Sequence, residues 1–238
     1  MIPIQVNRAG TLVALALSLA CTPANGGKPS ESRTTTTRSD TATVPAALSA
    51  PADSDAIKAD LARIQGSPTA PVWVIEVSDF QCPYCKQWHD QTYKKLLDEY
   101  VSTGKIRLAY VNFPLAQHVH AGPAAEAAMC AGAQGKFWEM HDALFTSQDK
   151  WAGLPSTAAH FHSLAQATGV DISRWLECVR SGKMRPWIQA DHDRAERAGA
   201  GSTPSFMIGD QLLVGAQPIE NMRSAIDSAL AKSRKTTP

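Results

Sequence analysis

The chain predicts an α/β fold: a strand-helix-strand unit, a long helical block, then a strand-strand-helix unit. Three stretches carry that prediction. Val72-Trp73-Val74-Ile75-Glu76-Val77 is apolar apart from one carboxylate, as a buried strand would be. After it, Cys85, Trp88, Thr92, Leu96 and Tyr100 recur every three to four residues, with Leu97 and Val101 alongside. That is one face of an amphipathic helix stopped at Gly104. From about Gln117 to Gly199 the pattern stays helical with no strand signal, and only then do two short apolar runs flank Gly209-Asp210.

Taken in order, residues 1–21 read as a signal peptide. Arg8 is the only early positive charge, and Thr11 to Ala20 is uncharged and rich in Leu and Ala. It is too short to span a bilayer but suits a signal-peptide core. Leu17-Ser18-Leu19-Ala20-Cys21 resembles a bacterial lipobox, in which Cys21 is lipidated and becomes the mature N-terminus. The alternative is an ordinary secretory peptide cut near Ala24. Either way the mature protein is exported, to a periplasm or cell envelope where disulfides persist. Residues 22–52 are rich in Thr, Ser, Pro and Ala, including Thr34-Thr35-Thr36-Thr37, and read as a disordered linker. Stretched, such a tether reaches roughly 100 Å; it would hold a globular head off a lipid membrane reached through Cys21.

Residues 53–235 make the globular domain. Asp53 to Ile64 is expected to be a leading helix, ended by Gly66-Ser67-Pro68. The apolar strand and the cysteine-bearing helix follow. Lys105 to Asn112 alternates Ile106, Leu108 and Tyr110 against Arg107, Ala109 and Val111, a second strand. A strand-helix-strand order makes these two parallel through a right-handed crossover. Within 117–199, helices are expected at about 123–133, 137–145, 157–168, 171–181 and 184–198. Ser205 to Ile208 and Gln211 to Val214 form a hairpin, and Ile219, Met222, Ile226 and Leu230 a last helix behind Pro218. This is the order of a thioredoxin fold with an inserted helical subdomain.

A formal charge of +1 with no basic run argues against a nucleic-acid partner. The five cysteines are Cys21, Cys82, Cys85, Cys130 and Cys178, and setting Cys21 aside leaves four that can pair. Residues 22–52 cannot supply a dimerisation domain, so a monomer is expected.

The chemistry centres on Phe80-Gln81-Cys82-Pro83-Tyr84-Cys85, where a strand ends and a helix begins. Cys82 falls at the N-cap and Pro83 at the first helical position, where a missing N–H costs nothing. Unpaired backbone N–H groups and the positive end of the helix dipole then favour the Cys82 thiolate. Cys85, one turn in, is within disulfide reach and more buried. Cys82 reads as the nucleophile and Cys85 as the resolving thiol of a redox-active pair. The alternative, half a zinc site, needs a second ligand pair, and Cys130 and Cys178 bring no second Cys-x-x-Cys. In an exported protein these two are expected to form a structural disulfide worth roughly 4 kcal/mol in the chain-entropy model. Two unpaired thiols are the alternative. Neither His118-Val119-His120 nor His160-Phe161-His162 makes a chelate, since residues two apart on a helix diverge.

Ser78 to Cys85, Asn112-Phe113-Pro114-Leu115, Ala124 to Phe145 and Gly201-Ser202-Thr203-Pro204-Ser205-Phe206 resemble the DsbA-like thiol:disulfide oxidoreductases of the thioredoxin superfamily, over roughly residues 55–232. The resemblance implies redox exchange with reduced or misoxidised exported proteins, a membrane redox partner, and no metal or organic cofactor. It also implies a cis bond before Pro204, which sets the Thr203 backbone against the active-site sulfur, and a buried acid at Glu76. Such an acid would have a raised pKa and exchange protons with Cys85; the alternative is a strand-edge Glu reaching solvent. Thr203 is a departure, because strong oxidases of the family often carry Val there. Tyr84 supplies no positive charge between the cysteines, so a less oxidising centre is expected. Asp79 is read as ordering the loop, and His118 as capping or packing. The competing functions are a reductase or isomerase and a redox-inactive peptide-binding chaperone.

Overall fold

The computed structural model describes residues 53–236. The expected signal peptide, the expected lipobox with Cys21 and the linker expected at 22–52 lie outside the described residues. The leading helix α1 is Ser54–Ala62, with the Asp53 carboxylate capping it by accepting from the Asp55 N–H. It stops short of the expected Ile64, because Ile64–Gln65 forms a two-residue strand, β1. Strand β2 is Val72–Ser78 and β3 is Ile106–Asn112. Between them runs one helical segment, α2 (83–101), in which α-helical Pro83–Trp88 and Lys94–Leu96 alternate with π-helical His89–Tyr93 and Leu97–Val101. The helical block holds α3 (Ala121–Gly132), α4 (Phe137–Thr146), α5 (Gln148–Trp151), α6 (Ala158–Ala167), α7 (Ile172–Ser181) and α8 (Arg185–Arg197). The hairpin strands β4 (Ser205–Ile208) and β5 (Gln211–Val214) and the closing helix α9 (Ile219–Thr236) complete the chain.

The sheet order is β1-β3-β2-β4-β5, with β2 and β3 parallel and the other pairs antiparallel. Gly66, at φ +102°, lets the chain turn between β1 and β2, and a Cβ there would lie 2.5 Å from the Ile106 carbonyl oxygen. β2 is central, so Glu76 has no edge from which to reach water, and the strand-edge alternative falls. The two parallel strands are in register from Val72–Ile106 to Ser78–Asn112, which lines up Val74 with Leu108 and Glu76 with Tyr110 on one face. At its Val72 end that face packs against Trp88 and Leu96 of α2 and Met222 and Ile226 of α9. At its Tyr110 end it meets the helical block, where α3 is buried along most of its length. The alanines of α3 are small for that reason: α1 crosses so closely that a Cβ on Gly132 would be 3.3 Å from Ala59 Cα.

Cys130 on α3 and Cys178 on α7 are disulfide-bonded, with Cα atoms 5.8 Å apart. The opposite face of the sheet is only partly covered: Val77 packs against Ala195 of α8, while Trp73 is exposed and stacks under the Arg107 guanidinium. Among the described residues no helix is long and apolar enough to cross a membrane.

Candidate active site

Cys82 is the N-cap of α2, in an extended conformation (φ −69°, ψ 124°), and Pro83 opens the helix. Cys85 lies one turn in and is fully buried. Both thiols are free. The Thr203–Pro204 peptide is cis, and the Cys82 thiol donates to the Thr203 carbonyl at 3.5 Å across 121 residues of sequence. The bend before β4 is held by the Gly215 N–H donating to the Pro204 carbonyl (2.8 Å) and the Ser205 hydroxyl to the Ser202 carbonyl (2.6 Å). Ring contact between Trp88 and Phe206 (4.6 Å) locks α2 to β4, so the sulfur and the bent peptide keep their spacing. Beside them, Tyr84, Gln87, Thr203 and Ala216 line an open groove of about 470 Å³. Tyr84 is 62% exposed at its rim.

The two thiols titrate apart. Cys82 is pulled down to about 6, first by the hydrogen bond from the Cys85 thiol and, against burial, by Thr203 and the backbone N–H groups of Cys85 and Tyr84. Cys85 is pushed well up by burial and by the neighbouring Cys82 sulfur. One sulfur is therefore a thiolate at neutral pH while the other keeps its proton.

The helical block pins the loop ahead of the cysteines. Gln148 Nε2 donates to the carbonyls of Phe80 (2.7 Å) and Cys82 (3.0 Å), and Gln81 Nε2 donates to the Ala152 carbonyl (2.9 Å). Asp79 Oδ1 accepts the Gln81 N–H (2.7 Å), while Oδ2 accepts the Leu115 N–H (2.9 Å) and meets His118 Nδ1 (2.7 Å). Asp79 thus orders the loop, with His118 as its partner. His118 and His120 lie in turns ahead of α3 rather than on a helix.

A thioredoxin family model matches residues 58–228. The chain belongs to that thioredoxin family. Its relatives include the Na(+)/H(+) antiporter NhaA 3 of Salinispora tropica, 34% identical over 176 residues, covering 74% of this chain but 26% of the relative. The chain thus spans about a quarter of that relative's length. "Probable disulfide bond formation protein D" of Bacillus anthracis is 29% identical over 171 residues, covering 70% of this chain and 77% of the relative. Among solved structures, BdbD from Bacillus subtilis in its oxidised form (TM-score 0.65, 21% identity) covers 74% of this chain and 95% of its own. α-DsbA1 from Wolbachia pipientis (TM-score 0.64, 22% identity) covers 74% and 94%. These two likenesses are of fold.

In this thioredoxin-family chain Glu76 is fully buried in the central strand, and neither of its oxygens has a hydrogen-bond partner among the described residues. Burial raises its pKa to about 7. The consequence for stability has a definite sign. Below pH 4.5 folded and unfolded chains both hold this proton; between 4.5 and about 7 only the folded chain keeps it. Above that window the folded state carries a buried carboxylate, at a cost of about 3 kcal/mol. Glu76→Gln is therefore expected to gain about 3 kcal/mol on the parent between about pH 4 and pH 8, read from urea unfolding with both thiols reduced. An equal difference at the two pH values would mean that water reaches the carboxylate.

Sequence reasoning did not find His89, His141 and Asp142. Among the described residues they are the group whose ligand atoms converge enough to hold a cation, lying within 4.8 Å of one another. Hydrogen bonds already account for the convergence: Asp142 Oδ1 is 2.8 Å from His141 Nδ1 and 3.3 Å from His89 Nε2. The only sequence signal was that His89 lies on the cysteine helix, four residues beyond Cys85; the other two are more than fifty residues away.

Proposed function

We propose that the chain is a thiol:disulfide oxidoreductase that forms or exchanges disulfides in exported proteins through Cys82 and Cys85. One observation carries this reading: a low-pKa thiol at a helix N-cap lies 3.5 Å from the Thr203 carbonyl, beside an open groove. Neither a zinc site nor a passive peptide binder needs that juxtaposition. In the oxidising direction a substrate thiolate attacks Cys82 Sγ, the Cys82–Cys85 bond breaks, and Cys85 leaves with the electron pair and takes a proton from Glu76. A second substrate thiolate then attacks the substrate sulfur of the mixed disulfide. Cys82 leaves as a thiolate, and two electrons remain on the enzyme as the dithiol. A membrane disulfide partner accepts them and resets the pair. Thr203 and Pro204 position the substrate backbone along the groove, and the Cys130–Cys178 disulfide holds the helical block that pins the active-site loop.

The same reading makes the protein an exported monomer, anchored in the membrane through lipidated Cys21 and carried on the 22–52 tether. A second direction of flow, reduction or isomerisation, is the alternative reading, because Thr203 stands where strong oxidases of the resembling family often carry Val. Equilibration of the pair with glutathione tests both. A potential well above the glutathione couple makes the protein an oxidase; one near thioredoxin's, about −270 mV, makes it a reductase. A pair that does not exchange with glutathione at all sinks the proposal.

A further inference from the structure

A carboxylate with no exposed surface cannot trade protons with water by itself, yet Glu76 must do so in every cycle of the exchange proposed above. The groups around it mark a way out. Ser78 shares its face of β2, and Tyr110 is its register partner on β3. The Ser78 and Tyr110 hydroxyls, like both Glu76 oxygens, are buried without a hydrogen-bond partner among the described residues. The His141 ring, on α4, stands edge-on to the Tyr110 ring with centroids 5.3 Å apart. His141 Nδ1 meets Asp142 Oδ1 at 2.8 Å, while its Nε2 is buried and unpartnered. Asp142, in turn, is 54% exposed.

A carboxylate that holds Nδ1–H leaves a neutral imidazole with a lone pair on Nε2. Burial keeps the His141 ring neutral, its pKa down at about 4 despite the Asp142 carboxylate. His89 cannot take this part. Its Nδ1 lies 3.2 Å from Asp90 Oδ1 and its Nε2 3.3 Å from Asp142 Oδ1, so neither nitrogen is left to face Glu76. The remaining titratable group packed on the His141 ring, Tyr93 of α2, has its hydroxyl occupied by Gln65 Nε2 at 2.9 Å.

We propose that His141 and Asp142 are the proton exit of the Glu76–Cys85 pair, joined to it by Tyr110, Ser78 and water bridging their unpaired polar atoms. The proposal rests on Glu76 being the proton acceptor of Cys85. A bridging water needs two to four polar partners, and these orphaned atoms supply them. When Cys85 closes onto a mixed disulfide, its S–H proton goes to the Glu76 carboxylate and its sulfur electron pair forms the Cys82–Cys85 bond. The departing sulfur leaves as a thiolate. Glu76 then passes the proton inward to His141 Nε2 as Nδ1–H is given up to Asp142, and from there to water. The ring ends as its other tautomer. Reopening of the disulfide draws one proton in by the reverse route and restores the first tautomer, so a full cycle needs no ring rotation. His141 and Asp142 act through Glu76 and are positioning residues in that sense.

The test is stopped-flow measurement of disulfide closure with oxidised glutathione and of reopening with reduced glutathione, followed by tryptophan fluorescence, in dilute buffer. His141→Ala and Asp142→Asn are each expected to slow both directions by at least about tenfold, within what a positioned acid–base group supplies. The equilibrium constant with glutathione should stay within about twofold, because a relay changes rate and not balance, and added imidazole should restore the His141→Ala rate. Asp142 is half exposed, so Asp142→Asn keeps the test open if His141→Ala does not fold. Glu76→Gln is the control. If it slows exchange while both other variants keep the parent rate, the exit is wrong and the role of Glu76 stands. If it too keeps the parent rate, the role of Glu76 fails as well. Slowing with a shifted equilibrium constant and no imidazole rescue would assign His141 a structural role and overturn the proposal.

Discussion

Cys82→Ala should reduce exchange on a reduced test protein to the uncatalysed background, while Cys85→Ala should leave a chain that captures its substrate and cannot release it. The asymmetry follows from the site. Of the two thiols it is Cys82 that meets the Thr203 carbonyl, and a thiol at about 6 is mostly thiolate at neutral pH, whereas one at 9.0 is about 1% ionised. Cys85 is fully buried and keeps its proton, so it reaches the mixed disulfide only from behind. The covalent adduct of Cys85→Ala, seen as a mass increase that dithiothreitol reverses, checks the assignment of roles. The same variant separates the sources of Cys82 acidity. The Cys85 thiol is the largest of them, so its loss should move the pH midpoint of Cys82 alkylation upward from about 6. The helix N–H groups and Thr203 remain, and should hold the midpoint below 9.0. A midpoint that does not move would place the whole effect in the helix terminus and Thr203. Adduct formation by Cys82→Ala would reverse the roles of the two thiols.

The parts of this site visible in the sequence are those written by local periodicity. The run Val72–Val77 and the spacing of Cys85, Trp88 and Leu96 placed the sulfur at a strand-to-helix junction, because a buried strand and an amphipathic helix each leave a one-dimensional signature. The cis Thr203–Pro204 bond came from family resemblance, since nothing within a few residues of Pro204 dictates it, whereas the apolar run around Glu76 itself marked a buried acid. Short elements escaped: Ile64–Gln65 and Gln148–Trp151 contain too few residues to show a period. The π-helical turns of α2 leave the apolar spacing almost unchanged, so the pattern that predicts the helix is silent on them. Least legible were polar contacts made at long range. Gln148 reaches Phe80 across 68 residues, and His89 meets Asp142 across 53. A single sequence shows each as an ordinary polar residue on a helix.

The largest of those long-range contacts supports the stability prediction. Asp191→Ala is expected to cost about 4 kcal/mol, within the range for removing one member of a buried ion pair. Asp191 is 1% exposed and Arg63 is 5% exposed. The carboxylate accepts from both terminal nitrogens of Arg63, from Arg194 Nη2 at 2.7 Å and from Asn112 through Nδ2 at 2.9 Å and its backbone N–H at 3.3 Å. Its loss therefore strands a buried guanidinium and two buried amide donors together. Asp60 stays within reach of Arg63, and keeps the cost from rising further. Asn112 ends β3, and three residues on, the Leu115 N–H holds Asp79, so the damage should spread toward the active-site loop. In urea unfolding the midpoint should fall with the slope unchanged. Replacing both charges by apolar groups, Arg63→Met with Asp191→Leu, should recover part of the loss, because no charge is then left stranded. Asp191→Ala costing less than about 1 kcal/mol would show that water enters the crevice beside Arg63 and solvates it. In that case the contact would steer the docking of α8 on β3 without holding it there.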